Sequence, residues 1–145
     1  MSFATHLAEV EVDPESGRVE LINFYAAHDS GKVINPLLAE GQIEGGAVMG
    51  FGWALTEELK FDNGRILNPN FHDYKLFSIK DIPQITPILV ETCDPNGPFG
   101  AKGLGECAMV PTAPAILNAI YDAVGVRICD LPATSEKVFN HIKSK

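Results

Sequence analysis

Between His6 and Val12 apolar and polar residues largely alternate, with Ala8, Val10 and Val12 set against Glu9 and Glu11. A period of two belongs to a strand with one covered face. Asp13-Pro14-Glu15-Ser16-Gly17 supplies a turn, and Arg18 to Ala27, with Val19, Leu21 and Phe24-Tyr25, supplies a second strand. The pattern predicts a β-hairpin. His28-Asp29-Ser30-Gly31-Lys32 reads as a further turn, and Asn35-Pro36 places an N-cap asparagine before a proline at the first helical position. From there to Leu59 the fourfold spacing of Ala39, Ile43, Ala47, Phe51 and Leu55 predicts a helix. Glu57 and Glu58 read as its solvated end.

That helix also carries Gly41, Gly45, Gly46, Gly50 and Gly52. Each glycine costs roughly 1 kcal/mol relative to alanine, so only dense packing against other chain offsets the loss. Gly41, Gly45, Val48 and Gly52 are expected on one thin face that admits a close-packed helix, strand or cofactor.

Farther along, Phe61 to Ile66 reads as a small hairpin with Asn63-Gly64 at its tip. Asn68-Pro69 breaks the chain, Phe71 to Ile82 is a short helix or irregular, and Ile85 to Thr92 is a strand. Met109 to Val124 reads mostly as a helix, its start confined by Pro111 and Pro114 and its end set by Gly125. Arg127 to Ile128 reads as a short extended piece, and Ser135 to Lys143 as a helix capped by Thr134 or Ser135. The expected fold is α+β: hairpins and a short mixed sheet packed with two to three helices, as one domain over residues 1–145.

Composition narrows the function classes. With 145 residues, 46% of them hydrophobic and 21% charged, the chain is of ordinary globular type. A formal net charge of −8 argues against nucleic acid and against an anionic membrane surface. There is no basic-then-apolar leader and no apolar run near the roughly 20 residues of a spanning helix, so a cytoplasmic location is expected. The three cysteines and four histidines fit neither a disulfide framework nor a protein-ligated metal.

Chemistry concentrates in Gly97-Pro98-Phe99-Gly100-Ala101-Lys102-Gly103-Leu104-Gly105-Glu106. Glycines let a backbone approach another body closely, and a loop rich in bare N–H groups suits an anionic ligand. Glu106 is either an acid near the start of the following helix or a general base at a pocket mouth. Lys102 is either an exposed loop lysine or an anchor for an anion, and Gln42 a solvent-facing, interhelical or ligand-binding amide. His28-Asp29 suggests either a stabilised turn or acid–base work. The loop has neither the Gly-Lys-Ser/Thr ending of a P-loop nor the dinucleotide fingerprint, which speaks against nucleotide hydrolysis.

In this order, several pieces resemble one family. They are Ala8-Glu9-Val10-Glu11-Val12-Asp13-Pro14 with Gly17, Ala27-His28-Asp29, Asn35-Pro36, and Gly41-Gln42-Ile43-Glu44-Gly45. Glu57-Glu58-Leu59, Leu67-Asn68-Pro69, Asp73-Tyr74, Asp81-Ile82-Pro83 and the glycine loop through Glu106 continue the series. Together they are similar to the C-terminal part of the molybdenum-binding subunit of the xanthine dehydrogenase/aldehyde oxidase family. Two departures lie in Phe77-Ser78, where that family often has Pro-Thr, and in Cys107, where a proline often follows the glutamate.

The resemblance implies hydroxylation of a carbon of an aromatic heterocycle (purine-like) or an aldehyde, with water as oxygen source. It implies a molybdenum held by a pyranopterin dithiolene, so no metal-ligating side chain is required of this chain. By the same match Glu106 is the general base, and Gln42, Lys102, Gly103, Leu104 and Gly105 lie against the cofactor. The family's subunit is several times longer, so this chain is expected to be part of a larger or split subunit, inactive alone. Its expected partners are the remaining molybdenum-subunit segment, iron–sulfur and FAD-bearing flavin subunits, and a small-molecule substrate. Left alone, the apolar surface near Gly41 to Gly52 is expected to drive self-association. The rival reading is a non-catalytic assembly or scaffold module that keeps the fold.

Overall fold

Strands β1 (Ala4–Val12) and β2 (Val19–Asp29) form the antiparallel hairpin in a computed structural model that describes residues 1–145. Glu9 pairs with Asn23 but Val10 with Leu21, so Ile22 is an extra residue on β2. The bulge shifts the buried phase of the strand from Leu21 to Phe24, Ala26 and His28. It explains why the apolar residues of β2 do not keep one period.

The strand also runs past Ala27, so His28 and Asp29 close β2 instead of forming a turn. A second neighbour holds them there. Strand β3 (Phe61–Asp62) and β4 (Arg65–Ile66) make a separate two-stranded ribbon around Asn63-Gly64, both at positive φ. Strand β5 (Gln84–Val90) then returns to pair parallel with β2, Asp29 opposite Val90. The sheet order β1-β2-β5 is therefore mixed. A parallel pair requires a long crossover, which α1 (Pro36–Leu55) and the irregular stretch after it provide.

Helix α1 starts as the sequence predicts, Asn35 Oδ1 accepting from the Leu38 N–H at 3.2 Å. It stops at Leu55, four residues short of Leu59. The N–H groups of Thr56 and Glu57 both turn back onto the Gly52 carbonyl, and the Tyr74 hydroxyl donates to Glu57 Oε2 at 2.7 Å. Glu57 is thus a half-buried anchor for the 70s loop, not a solvated helix end.

Helix α2 (Thr112–Val124) ends on Gly125 at φ +69, and α3 (Ser135–Lys143) is capped by Thr134, which accepts from the Lys137 N–H. Met109 to Pro111 is a turn rather than the first helical residues, and Arg127 to Ile128 forms no strand. Residues 71–82 are irregular.

The core lies between one face of the sheet and helices α1 and α2. Phe24 and Phe51 meet edge to face with ring centres 4.8 Å apart. A Cβ on Gly46 would stand 2.6 Å from the Ala108 Cβ, and one on Gly50 only 2.5 Å from the Thr112 Cβ. These two glycines, not Gly41 and Gly45, are where α1 accepts the segment leading into α2. Gly41 and Gly45 are exposed with open space around them. They fall in a stripe at fourfold spacing with Leu37, Met49 and Trp53, all three exposed. No helix is long and apolar enough to cross a membrane.

Candidate functional site

Asp29, at the end of β2, is 6% exposed and accepts three hydrogen bonds. The Lys102 ammonium approaches Oδ2 at 2.5 Å, while the Thr92 hydroxyl and the Gly31 N–H both donate to Oδ1. The Lys102 bond above all, then the Thr92 bond, lowers the Asp29 carboxyl to about 2, against the opposing effect of burial. Lys102 Nζ also donates to the Met1 carbonyl at 2.9 Å. Lys102 is therefore neither an exposed loop lysine nor a free anion anchor.

The backbone around this pair is equally tied. Lys102 N–H donates to the Ser30 carbonyl at 3.0 Å, and Lys32 N–H to the Gly100 carbonyl at 2.7 Å. Gly31, at φ +61, runs so close that a Cβ would lie 2.4 Å from the Gly100 carbonyl oxygen. Only glycine satisfies both demands.

Beyond Lys102 the loop changes character. The N–H groups of Gly103, Leu104, Gly105 and Glu106 donate no backbone hydrogen bond, and a Cβ on Gly103 or Gly105 would meet nothing within 4 Å. The Leu104 side chain is half-buried against the core. From α1, Gln42 reaches across and donates from Nε2 to the Gly105 carbonyl at 3.2 Å. Glu106 is exposed, with neither a hydrogen bond nor an ion pair to its carboxylate. Five residues of turn, Cys107 to Pro111, separate it from α2, so the reading as a helix-start acid fails on geometry.

An open groove of about 260 Å³ separates the start of α1 from the loop, with Ile34, Leu38, Gln42, Lys102 and Leu104 among its walls. Of the predicted site residues, Gln42, Lys102 and Leu104 line this groove and Gln42 also holds Gly105, while Gly103 and Glu106 are exposed on the same loop. His28 and Asp29 do not form an acid–base pair. The partners that sequence reading missed are Thr92 and Ser30, which no local pattern marks because their roles depend on a distant loop.

A second network lies beneath the first. His6 Nε2 and His28 Nε2 are 2.7 Å apart, and His6 Nδ1 meets the Thr112 hydroxyl at 3.1 Å. A contact of that length needs one proton between the rings. Burial, and then the charge of His28, lowers His6 to about 4, and burial lowers His28 as well. His28 Nδ1 is buried without a partner. The network ties β1 and β2 to the residue at which α2 begins. No group of three or more His, Cys, Asp or Glu stands where it could hold a metal ion.

Residues 1–83 match the family described as Molybdopterin cofactor-binding domain. The xanthine dehydrogenase molybdenum-binding subunit of Escherichia coli O157:H7 is 41% identical over 140 residues, covering 95% of this chain and 19% of its own length. Among solved structures, quinoline 2-oxidoreductase from Pseudomonas putida 86 matches with TM-score 0.91 and 35% identity, covering 97% of this chain and 18% of that one. Aldehyde oxidoreductase from Desulfovibrio gigas matches with TM-score 0.90 and 37% identity, covering 98% of this chain and 15% of that one. The chain therefore spans about a fifth of the length of the curated relatives it matches. On sequence and fold together, it belongs to the molybdopterin cofactor-binding domain family of the molybdenum hydroxylases.

Proposed function

We propose that this chain is the segment of a molybdenum hydroxylase that carries its general base, Glu106, and that Gln42 and the loop from Lys102 to Gly105 face the molybdenum–pyranopterin cofactor. The observation that carries this reading is the run of four unpaired N–H groups, Gly103 to Glu106, with open space at both glycines. A run of free N–H groups suits an anionic group, and the missing Cβ atoms let it approach the backbone. The family's metal is held by the pterin's own sulfurs, so a donor set without clustered thiolates or imidazoles fits it. Lys102 contributes to this surface through its place in the chain, since its ammonium and N–H are both committed elsewhere.

When bound, the cofactor supplies the redox couple and the Lewis acid. The protein's part is proton handling and orientation. A Glu106 carboxylate oxygen accepts the proton of the hydroxyl that delivers oxygen to an electron-poor carbon of an aromatic heterocycle or aldehyde. An unpaired carboxylate is suited to that task because no cation competes for its lone pairs. Covering it on assembly strips water from it. The remainder of the molybdenum subunit supplies that cover, and iron–sulfur and flavin subunits carry the electrons away.

Glu106→Gln in the assembled enzyme is expected to lower kcat by at least about a hundredfold, the usual scale of general-base catalysis, with molybdenum content unchanged. Turnover that survives the substitution supports the scaffold reading instead.

A further inference from the structure

We infer that the Asp29–Lys102 ion pair is a positioning clamp that sets where the loop presents Glu106, an inference that rests on the general-base role proposed above. Three observations carry it. The first is burial. The two side chains are 7% and 13% exposed, whereas the chain's other ion pairs, Arg18–Glu20 and Lys32–Glu91, sit at 73% and 59% and at 57% and 46%. A buried pair is a poor source of stability, because desolvation takes back most of the attraction. What it gives is one geometry. Asp29 is fully engaged by Lys102, Thr92 and Gly31, so no alternative arrangement satisfies it equally well.

The second observation is where the clamp acts. It joins the end of β2, the exit of β5 at Thr92, and the glycine loop, bonds spanning 63 and 73 residues of sequence. Past Lys102 the loop backbone before Glu106 is held by side chains alone, Gln42 donating to the Gly105 carbonyl and the Cys107 thiol reaching the Gly103 carbonyl at 3.7 Å. Gly103 and Gly105 impose no conformation of their own. With Leu104 packed against the core, these holds and the clamp together define the reach of the carboxylate, and releasing the clamp leaves the entrance of the loop on its backbone bonds alone.

The third is charge. Lys102 is the nearest cation in sequence to Glu106, and Asp29 neutralises it. The same bond that fixes the loop keeps the lysine from pairing with the base. With its carboxyl held at about 2, Asp29 stays ionised across the physiological range, so the clamp is permanent and not a switch.

The test uses backbone ¹⁵N relaxation on the 145-residue chain. Lys102→Met is expected to drop the order parameters of Gly103 to Glu106 from rigid values near 0.85 to below about 0.6, with β1, β2 and α2 unchanged. Lys102→Arg, which keeps the ion pair, restores them. Thr92→Val removes one hydroxyl bond and gives a smaller fall at the same four residues. It decides the matter if Lys102→Met does not fold. Unchanged loop mobility in both Lys102→Met and Thr92→Val overturns the inference, as does loosening spread evenly over the sheet. In the assembled enzyme, Lys102→Met is expected to lower kcat about tenfold or more with KM held, and Lys102→Arg to recover most of it. The relaxation experiment involves neither cofactor nor Glu106 chemistry. Full turnover of Glu106→Gln would thus defeat the general-base reading while leaving the mobility result to stand or fall alone.

Discussion

Gly46 and Gly50 press against Ala108 and Thr112, whereas Gly41 and Gly45, five residues earlier on the same helix, face open space. Both pairs weaken α1 by the same physics, the freedom of a residue without a Cβ. Only the first pair returns that cost within this chain, by letting the segment after Glu106 lie against the helix. The second pair flanks Gln42, which reaches the loop below Glu106. One helix thus has a side filled by its own chain and a side left open. Under the proposed function, the open side meets the cofactor and the remainder of the subunit.

The filled side breaks most visibly. Gly50→Ala places a methyl 2.5 Å from the Thr112 Cβ, and overpacking of this kind outweighs the gain in helix propensity. A loss of about 2 kcal/mol is expected, read as a melting temperature lower by about 5 °C or more. An unchanged melting temperature would mean that the helix and Thr112 do not meet this closely.

Acidification should loosen the same side. His6, whose Nδ1 meets the hydroxyl of Thr112, has its pKa lowered from 6.5 to about 4 in the fold. As pH falls, the unfolded chain binds this proton first, so stability is level above about 6.5 and declines toward 4. Between pH 7 and 5 the expected loss is about 1–2 kcal/mol, and His6→Gln should flatten the slope in melts at the two pH values. Asp29 acts in a separate window. Its lowered carboxyl stabilises the fold above the unfolded value near 4, and that contribution is lost only as pH drops toward 2.

The open side should respond in the opposite sense. Gly41→Ala and Gly45→Ala meet no atom within 4 Å, so each is expected to stabilise the lone chain by about 0.5–1 kcal/mol. In the assembled enzyme the same methyl groups should lower molybdenum content. A destabilised lone chain would show that this face is already occupied by the chain itself.

Local signals in the sequence reached far. The β1–β2 hairpin, the Asn35-Pro36 helix start, the Asn63-Gly64 ribbon, the Gly125 stop and the Thr134 cap all stand where turn and capping chemistry puts them. The glycine loop and Glu106 were legible as a candidate site from composition, and from the ordered family motifs as a specific one. The five glycines of α1 were legible as a demand for close packing, but not as to which of them was met.

What the sequence determined by itself is therefore the set of elements, their caps and the residues where chemistry gathers, because each depends on neighbours a few positions away. Tertiary structure alone decided the parallel pairing of β5, which turned His28-Asp29 from a turn into a strand end. It alone set five turn residues between Glu106 and α2, filled Gly46 and Gly50 in preference to Gly41 and Gly45, and joined Asp29 to Lys102. The physical reason is common to all four. A period specifies that a face exists, whereas the identity of its partner is a contact between residues far apart in sequence, fixed only when the whole chain competes for the same space.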